Sequence, residues 1–186
     1  MLRLLDDFAV ERAHFCGLSL GGVTGMWLAT HAAGRIDRLV LANTAPQIGS
    51  TQLWNARIDA VRYGGMGAVV TAVLERWFTA GFRARAPQAV DRVRAMLERT
   101  SPEGYAACCA AIRDVDLWPS VAGIRSPTLI ITGRHDASTP AAEGKKMAER
   151  IAGARYVELD TAHLSNVEAA SRFTAEVSAF LSGGNA

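Results

Sequence analysis

Five residues constrain this chain more than any others: Gly17-Leu18-Ser19-Leu20-Gly21, followed at once by Gly22. The run before them, Ala13-His14-Phe15-Cys16, is short and apolar, and residues 22–33 stay small and apolar long enough for a helix. G-x-S-x-G between a strand and a helix describes a sharp turn that presents a serine at the end of a sheet. Such a turn forces the serine into a sparsely populated backbone conformation, and a Cβ at Gly17 or Gly21 is expected to crowd the adjoining strand and helix. Ser19 then stands at a helix N-terminus, where the orphan N–H of Leu20 can donate to an oxyanion forming on an attacked carbonyl. The same letters also fit a glycine-rich turn with an incidental serine, so the rest of the chain must supply the partners.

A serine hydroxyl is a poor nucleophile near neutral pH and needs a histidine base oriented by a carboxylate. The other strands say where to look. Residues 39–42 are a second buried-strand candidate, closed by the turn formers Asn43-Thr44-Ala45-Pro46. Residues 127–132 are β-branched and uncharged, as in a strand covered on both faces, and Gly133 ends them. Residues 154–159 form a fourth, more polar strand. Between the last two, Thr139-Pro140 opens a helix reaching about residue 151, and residues 167–181 place Val167, Phe173, Val177, Phe180 and Leu181 near one helical stripe. Strands alternating with helices predict an α/β fold, about four parallel strands flanked by helices.

Asp136 follows the third strand in Gly133-Arg134-His135-Asp136, and His163 follows the fourth in Asp160-Thr161-Ala162-His163. Ser19, Asp136 and His163 thus come in the chain order of the α/β-hydrolase triad, each just past the C-terminal end of its own strand. The other histidines fail on position: His14 lies inside a strand, His31 deep in a helix, and His135 points away if Asp136 points inward. Asp160, the rival acid, reads as a turn former.

Residues 46–120 carry no strand pattern and read as a helical cap inserted between two parts of a core, 1–45 and 121–186. Its Trp54, Trp77, Phe78, Phe82, Tyr105 and Trp118 either line a pocket or pack helix on helix. At 186 residues and 49% hydrophobic, the chain has enough apolar surface for a real core, so disorder is excluded. Twenty basic against eighteen acidic residues, scattered, leave no electrostatic footprint for nucleic acid. The longest apolar stretches fall short of the roughly 20 residues that cross a bilayer. No signal-peptide cleavage site follows Met1, which makes a cytoplasmic location the expectation. Three cysteines make neither a disulfide framework nor a zinc site and are expected to be small buried hydrophobes.

On these residues the chain resembles an α/β-hydrolase, and more narrowly the 3-oxoadipate enol-lactonases of the β-ketoadipate pathway for aromatic degradation. The resemblance rests on Glu11-Arg12-Ala13-His14-Phe15-Cys16-Gly17-Leu18-Ser19, on Leu39-Val40-Leu41-Ala42-Asn43-Thr44-Ala45, on Trp54-Asn55-Ala56-Arg57, on Glu103-Gly104-Tyr105 with Ala110-Ala111-Ile112-Arg113-Asp114, and on Ala162-His163-Leu164-Ser165-Asn166. It implies hydrolysis of a small enol-lactone carrying a carboxylate, with no metal or organic cofactor. Ser19 would attack, His163 would act as base, Asp136 would orient it and Leu20 would donate to the oxyanion. Arg57 and Arg113 are candidate partners of the substrate carboxylate, with Trp54 and Trp118 beside them, although arginines on a solvated helix face read the same way. An esterase or a carbon–carbon hydrolase on the same scaffold stays open.

Family members carry roughly 70 to 80 residues more at the N-terminus, a length that fits their larger sheets. The resemblance therefore implies that this chain is the C-terminal part of the fold, without the first four strands and without the loop that donates the second oxyanion N–H. The nucleophile strand is then expected at an exposed, aggregation-prone edge, with the missing part on another chain or encoded upstream of Met1, and a homo-oligomer is a further expectation. An inactive fragment is the matching alternative.

Overall fold

The apolar runs pair as four parallel strands in the computed structural model, which describes residues 1–183: β1 (Ala13–Leu18), β2 (Ile36–Ala42), β3 (Thr128–Gly133) and β4 (Arg155–Leu159), in the order β1-β2-β3-β4. Leu18 sits opposite Ala42, Ala42 opposite Ile131, and Gly133 opposite Leu159, so all four C-terminal ends reach one rim of the sheet. The central pair explains the uncharged sequence. Leu39, Val40, Leu41, Leu129, Ile130 and Ile131 have no exposed surface. β1 lies at an edge, and its first four residues alternate between half-buried and exposed before the buried Gly17.

Helix α1 (Leu2–Asp7) precedes β1, and α2 (Leu20–His31) joins β1 to β2. Between β2 and β3 come α3 (Thr51–Gly64), α4 (Gly67–Trp77), α5 (Ala80–Arg85), α6 (Pro87–Glu98) and α7 (Pro102–Asp114). Local chemistry starts three of them: Ser50, Thr79 and Ser101 accept N–H groups from the first turns of α3, α5 and α7. Val61, Val70, Val73, Leu74, Phe78 and Leu97 give this segment a hydrophobic core of its own. Leu117 N donates to Pro46 O at 2.9 Å, so the segment leaves and rejoins the sheet at one place.

Helix α8 (Ala141–Arg150) crosses from β3 to β4, and α9 (Ser165–Glu168) and α10 (Ala170–Leu181) close the chain. The single helix expected over 167–181 is thus two, because Ala169 leaves helical geometry at φ −129° and ψ 48°. Strand alternation divides the core. Leu39, Leu41 and Ile130 pack with Met26 of α2 and Met147 of α8, whereas Val40, Leu129 and Ile131 pack with Phe180 of α10.

The cysteine expectation is corrected for two of three. Cys16 and Cys108 are exposed and only Cys109 is buried. Cys16 stands on the open edge strand, on the side opposite to the inward-packed Phe15. Among the described residues no helix is long and apolar enough to cross a membrane.

Candidate active site

β1 ends at Leu18 and α2 begins at Leu20, so the reversal falls on Ser19, at φ 55° and ψ −117°. Neighbouring β2 holds it there. Ser19 N donates to Ala42 O at 3.0 Å, and the hydroxyl of Thr44 donates to Ser19 O at 2.8 Å. A Cβ on Gly17 would lie 2.2 Å from the carbonyl oxygen of Gly21, and one on Gly22 would lie 2.5 Å from the Thr44 side chain. The crowding expected at Gly21 is not there: a Cβ on it would meet nothing within 4 Å. The contact across the turn is made by the carbonyl of Gly21, not by its α-carbon. Gly22 is the second glycine that the turn needs.

His163 and Asp136 project from the loops after β4 and β3, and His163 Nδ1 lies 2.8 Å from Asp136 Oδ2. Both side chains are almost wholly buried. Oδ1 of Asp136 also accepts the N–H groups of Ser138 and Thr139, at 2.8 and 3.0 Å. Oδ2 takes the Thr139 hydroxyl at 2.7 Å and Asn43 Nδ2 at 3.1 Å. Burial alone would raise the Asp136 pKa, but the bond to His163, its charge, and the Thr139 donors outweigh burial and hold the carboxyl below its usual range. The ionised carboxylate only accepts, so Nδ1 of His163 donates this bond, and in a neutral imidazole that leaves the lone pair on Nε2.

Asn43 is more than the turn former that the sequence suggests. Its backbone does turn, at φ 43°, but its side chain also joins Asp136 to Ala162 O, at 3.2 Å, and accepts the hydroxyl of Ser165.

Ser19, Leu20 and His163 line one cavity of about 370 Å³. No hydrogen bond joins Ser19 to His163 among the described residues; they share the cavity. Trp54, Trp77 and Tyr105 form aromatic walls, and the Trp77 ring centroid is 6.1 Å from that of His163. Arg57 also reaches the cavity, its guanidinium 4.7 Å from the Trp54 ring centroid, while Trp54 Nε1 is anchored on Ile48 O. Sequence reasoning missed Arg76, which joins Arg57 there. Burial, and then the charge of Arg57, press the Arg76 pKa below the ordinary arginine value. No aspartate or glutamate lines the cavity with them.

Two expected wall residues lie elsewhere. Arg113 points off α7 to Asn55 Oδ1 and to its neighbour Asp114, each at 2.7 Å, and does not line the cavity. Trp118 comes after the chain has turned back toward the sheet, and Lys146 and Arg150 of α8 cover its ring at 4.3 and 4.9 Å. Phe78 and Phe82 stack on each other inside the helical core. The remaining histidines are engaged elsewhere: His14 with Asp37, His31 stacked on Trp27, His135 with Asp160. Among the described residues no group of three or more His, Cys, Asp or Glu could hold a metal ion.

A profile described as the alpha/beta hydrolase family matches residues 2–177. The curated relatives include 3-oxoadipate enol-lactonase 2 of Acinetobacter baylyi, 38% identical over 181 residues that make up 97% of this chain and 68% of that one. A protein named putative carbamate hydrolase RutD, of Pseudomonas savastanoi pv. phaseolicola, is 29% identical and covers 90% of this chain and 66% of its own length. Among solved structures, the enol-lactonase from Burkholderia xenovorans LB400 superposes with a TM-score of 0.96 at 48% identity, over 97% of this chain and 70% of that one. The strand-turn-helix around Ser19, the rim that carries the two following loops and the match over nearly the whole sequence agree: the chain belongs to the alpha/beta hydrolase family.

Proposed function

We propose that the chain is a carboxylic-ester hydrolase that opens 3-oxoadipate enol-lactone to 3-oxoadipate, with Ser19 as nucleophile, His163 as base and Asp136 as its orienting acid. One observation carries the reading: a single aromatic cavity holds Ser19 beside the His163–Asp136 pair, together with two arginines and no acid. A neutral ester gives no use to two cations in a cavity wall that holds no acid, whereas a lactone bearing a carboxylate does. The relatives named as enol-lactonases point the same way.

In this mechanism Ser19 Oγ attacks the lactone carbonyl while Nε2 of His163 takes its proton, and Leu20 N–H donates to the oxyanion. The ring C–O bond breaks, the enolate leaves and takes the proton back from His163, and an acyl-enzyme remains. Because an enolate leaves more readily than an alkoxide, orientation matters more than strong acid catalysis. Water then adds, its proton going to His163 and on to the released serine oxygen. Arg57 takes the substrate carboxylate and Trp54 flanks the ring.

The test follows lactone hydrolysis by loss of enol absorbance, against simple esters and a carbamate, with Ser19→Ala in parallel. The lactone should be preferred and Ser19→Ala should be inactive. Preference for simple esters refutes the substrate, and unchanged turnover in Ser19→Ala refutes the nucleophile.

A further inference from the structure

Both backbone N–H groups that flank His163 are tied to one stretch of the helical segment. Leu164 N donates directly to Trp77 O at 3.1 Å. Ala162 N donates to Glu168 Oε2 at 3.1 Å. The same carboxylate takes the hydroxyl of Thr79 on Oε1 and the N–H of Thr79, at 3.3 Å, on Oε2. Glu168 is only 8% exposed and these donors are neutral, so a buried carboxylate is spent on joining two backbone segments. Burying a charge that way is costly, and an apolar side chain of similar size would fill the space but leave two N–H groups unpaired. Residues 76–79 therefore have two faces. Arg76 and Trp77 line the cavity, while Trp77 O and Thr79 hold the loop that carries His163.

We propose that Glu168 is a positioning residue: it locks the loop of His163 to the end of α4, so that the cavity wall at Arg76 and the orientation of the base form one mechanical unit. This rests on the reading of Ser19 and His163 as nucleophile and base. Glu168 touches neither the substrate nor the reacting atoms. It acts through the backbone on either side of the imidazole, and a displacement of about 1 Å there is enough to cost on the order of 100-fold in turnover.

The experiment compares Glu168→Ala, Glu168→Gln and Thr79→Val with the parent chain on the lactone, and adds Arg76→Ala alone and combined with Glu168→Ala. Glu168→Ala should lower kcat on the order of 10- to 100-fold with a much smaller change in KM. Glu168→Gln, which keeps an oxygen for the Ala162 and Thr79 N–H groups, should recover most of it, and Thr79→Val should fall between. Arg76→Ala should depress both kcat and KM performance in the parent but only KM in the Glu168→Ala background, a non-additivity that independent sites do not show. Parental kcat in Glu168→Ala, Glu168→Gln no better than Glu168→Ala, or independent multiplication of the two losses overturns the proposal. If Glu168→Ala does not fold, Thr79→Val and Glu168→Gln decide it, since parental kcat in Thr79→Val is the refuting result. Ser19→Ala separates the two readings: turnover in Ser19→Ala refutes the nucleophile, whereas an inactive Ser19→Ala beside a fully active Glu168→Ala refutes the positioning role alone.

Discussion

Gly17→Ala and Gly21→Ala make the same chemical change four residues apart in one motif, and the structure assigns them opposite outcomes. A Cβ on Gly21 meets nothing within 4 Å, and the residue lies in α2, so alanine should stabilise by roughly 0.5 to 1 kcal/mol through reduced backbone entropy of the unfolded chain. For a chain of this size that is a rise of about 1 to 4 °C in Tm, with turnover unchanged. A Cβ on Gly17 instead meets three backbone atoms, Gly21 O at 2.2 Å, Gly21 C at 2.3 Å and Gly22 N at 2.7 Å. No rotamer relieves a clash with backbone. Restoring ordinary contacts of about 3.5 Å requires the turn to open by about 1 Å. Overpacking of this kind costs about 1 to 3 kcal/mol, and the same displacement at Ser19 costs on the order of 100-fold in rate. Thermal melts and steady-state lactone hydrolysis on the two variants read both quantities. A Gly17→Ala protein with parental Tm and rate, or a Gly21→Ala protein that loses either, would refute the account of the turn.

Asp136→Asn should lower kcat by about 10³ to 10⁴-fold, because the amide no longer selects the tautomer with its proton on Nδ1; an intact rate would remove Asp136 from the mechanism. The folded pKa of Asp136 is depressed, so its contribution to stability is complete above the unfolded carboxyl value of about 4 and is lost as pH falls through the lower folded value. Melts from pH 7 to pH 3 should show this acid limb flattened in Asp136→Asn. Arg57→Ala should raise KM for the carboxylate-bearing lactone about 10-fold or more, whereas Arg113→Ala, paired with Asp114 and Asn55 outside the cavity, should leave it unchanged. Thr44→Val removes the hydroxyl that donates to Ser19 O and should cost about 1 kcal/mol by chemical denaturation, with a lowered kcat.

The strands were legible because burial on both faces leaves a local trace: residues 39–42 of β2 and the whole of β3 are uncharged and apolar or branched. That Ser19, Asp136 and His163 reach one rim was legible because a parallel sheet brings the loops after its strands to the same side, which makes chain order informative about space. What local pattern could not carry is which side of a helix faces the cavity. Arg57 and Arg113 lie on the packed pair α3 and α7 and looked equivalent, yet one lines the cavity and the other turns to Asn55. Arg76 follows the buried stripe of Val69, Val70, Val73 and Leu74, and its place beside Trp77 at the end of α4 was the only available sign that it borders a pocket. Asn43 and Glu168 were invisible for another reason. Their partners, Asp136 and Thr79, lie 93 and 89 residues away, and no period in the chain encodes a bond of that range.

The positive φ at Ser19 has one more consequence. A left-handed backbone at a residue with a side chain stores about 1 to 3 kcal/mol, and glycine alone occupies it at ease. Ser19→Gly should therefore melt above Ser19→Ala, with no hydroxyl left to react. Relief of the strain at Ser19 comes only with loss of its hydroxyl, so a sturdier protein has to be sought at a distance, for instance on the bare rings of Phe8 and Tyr63.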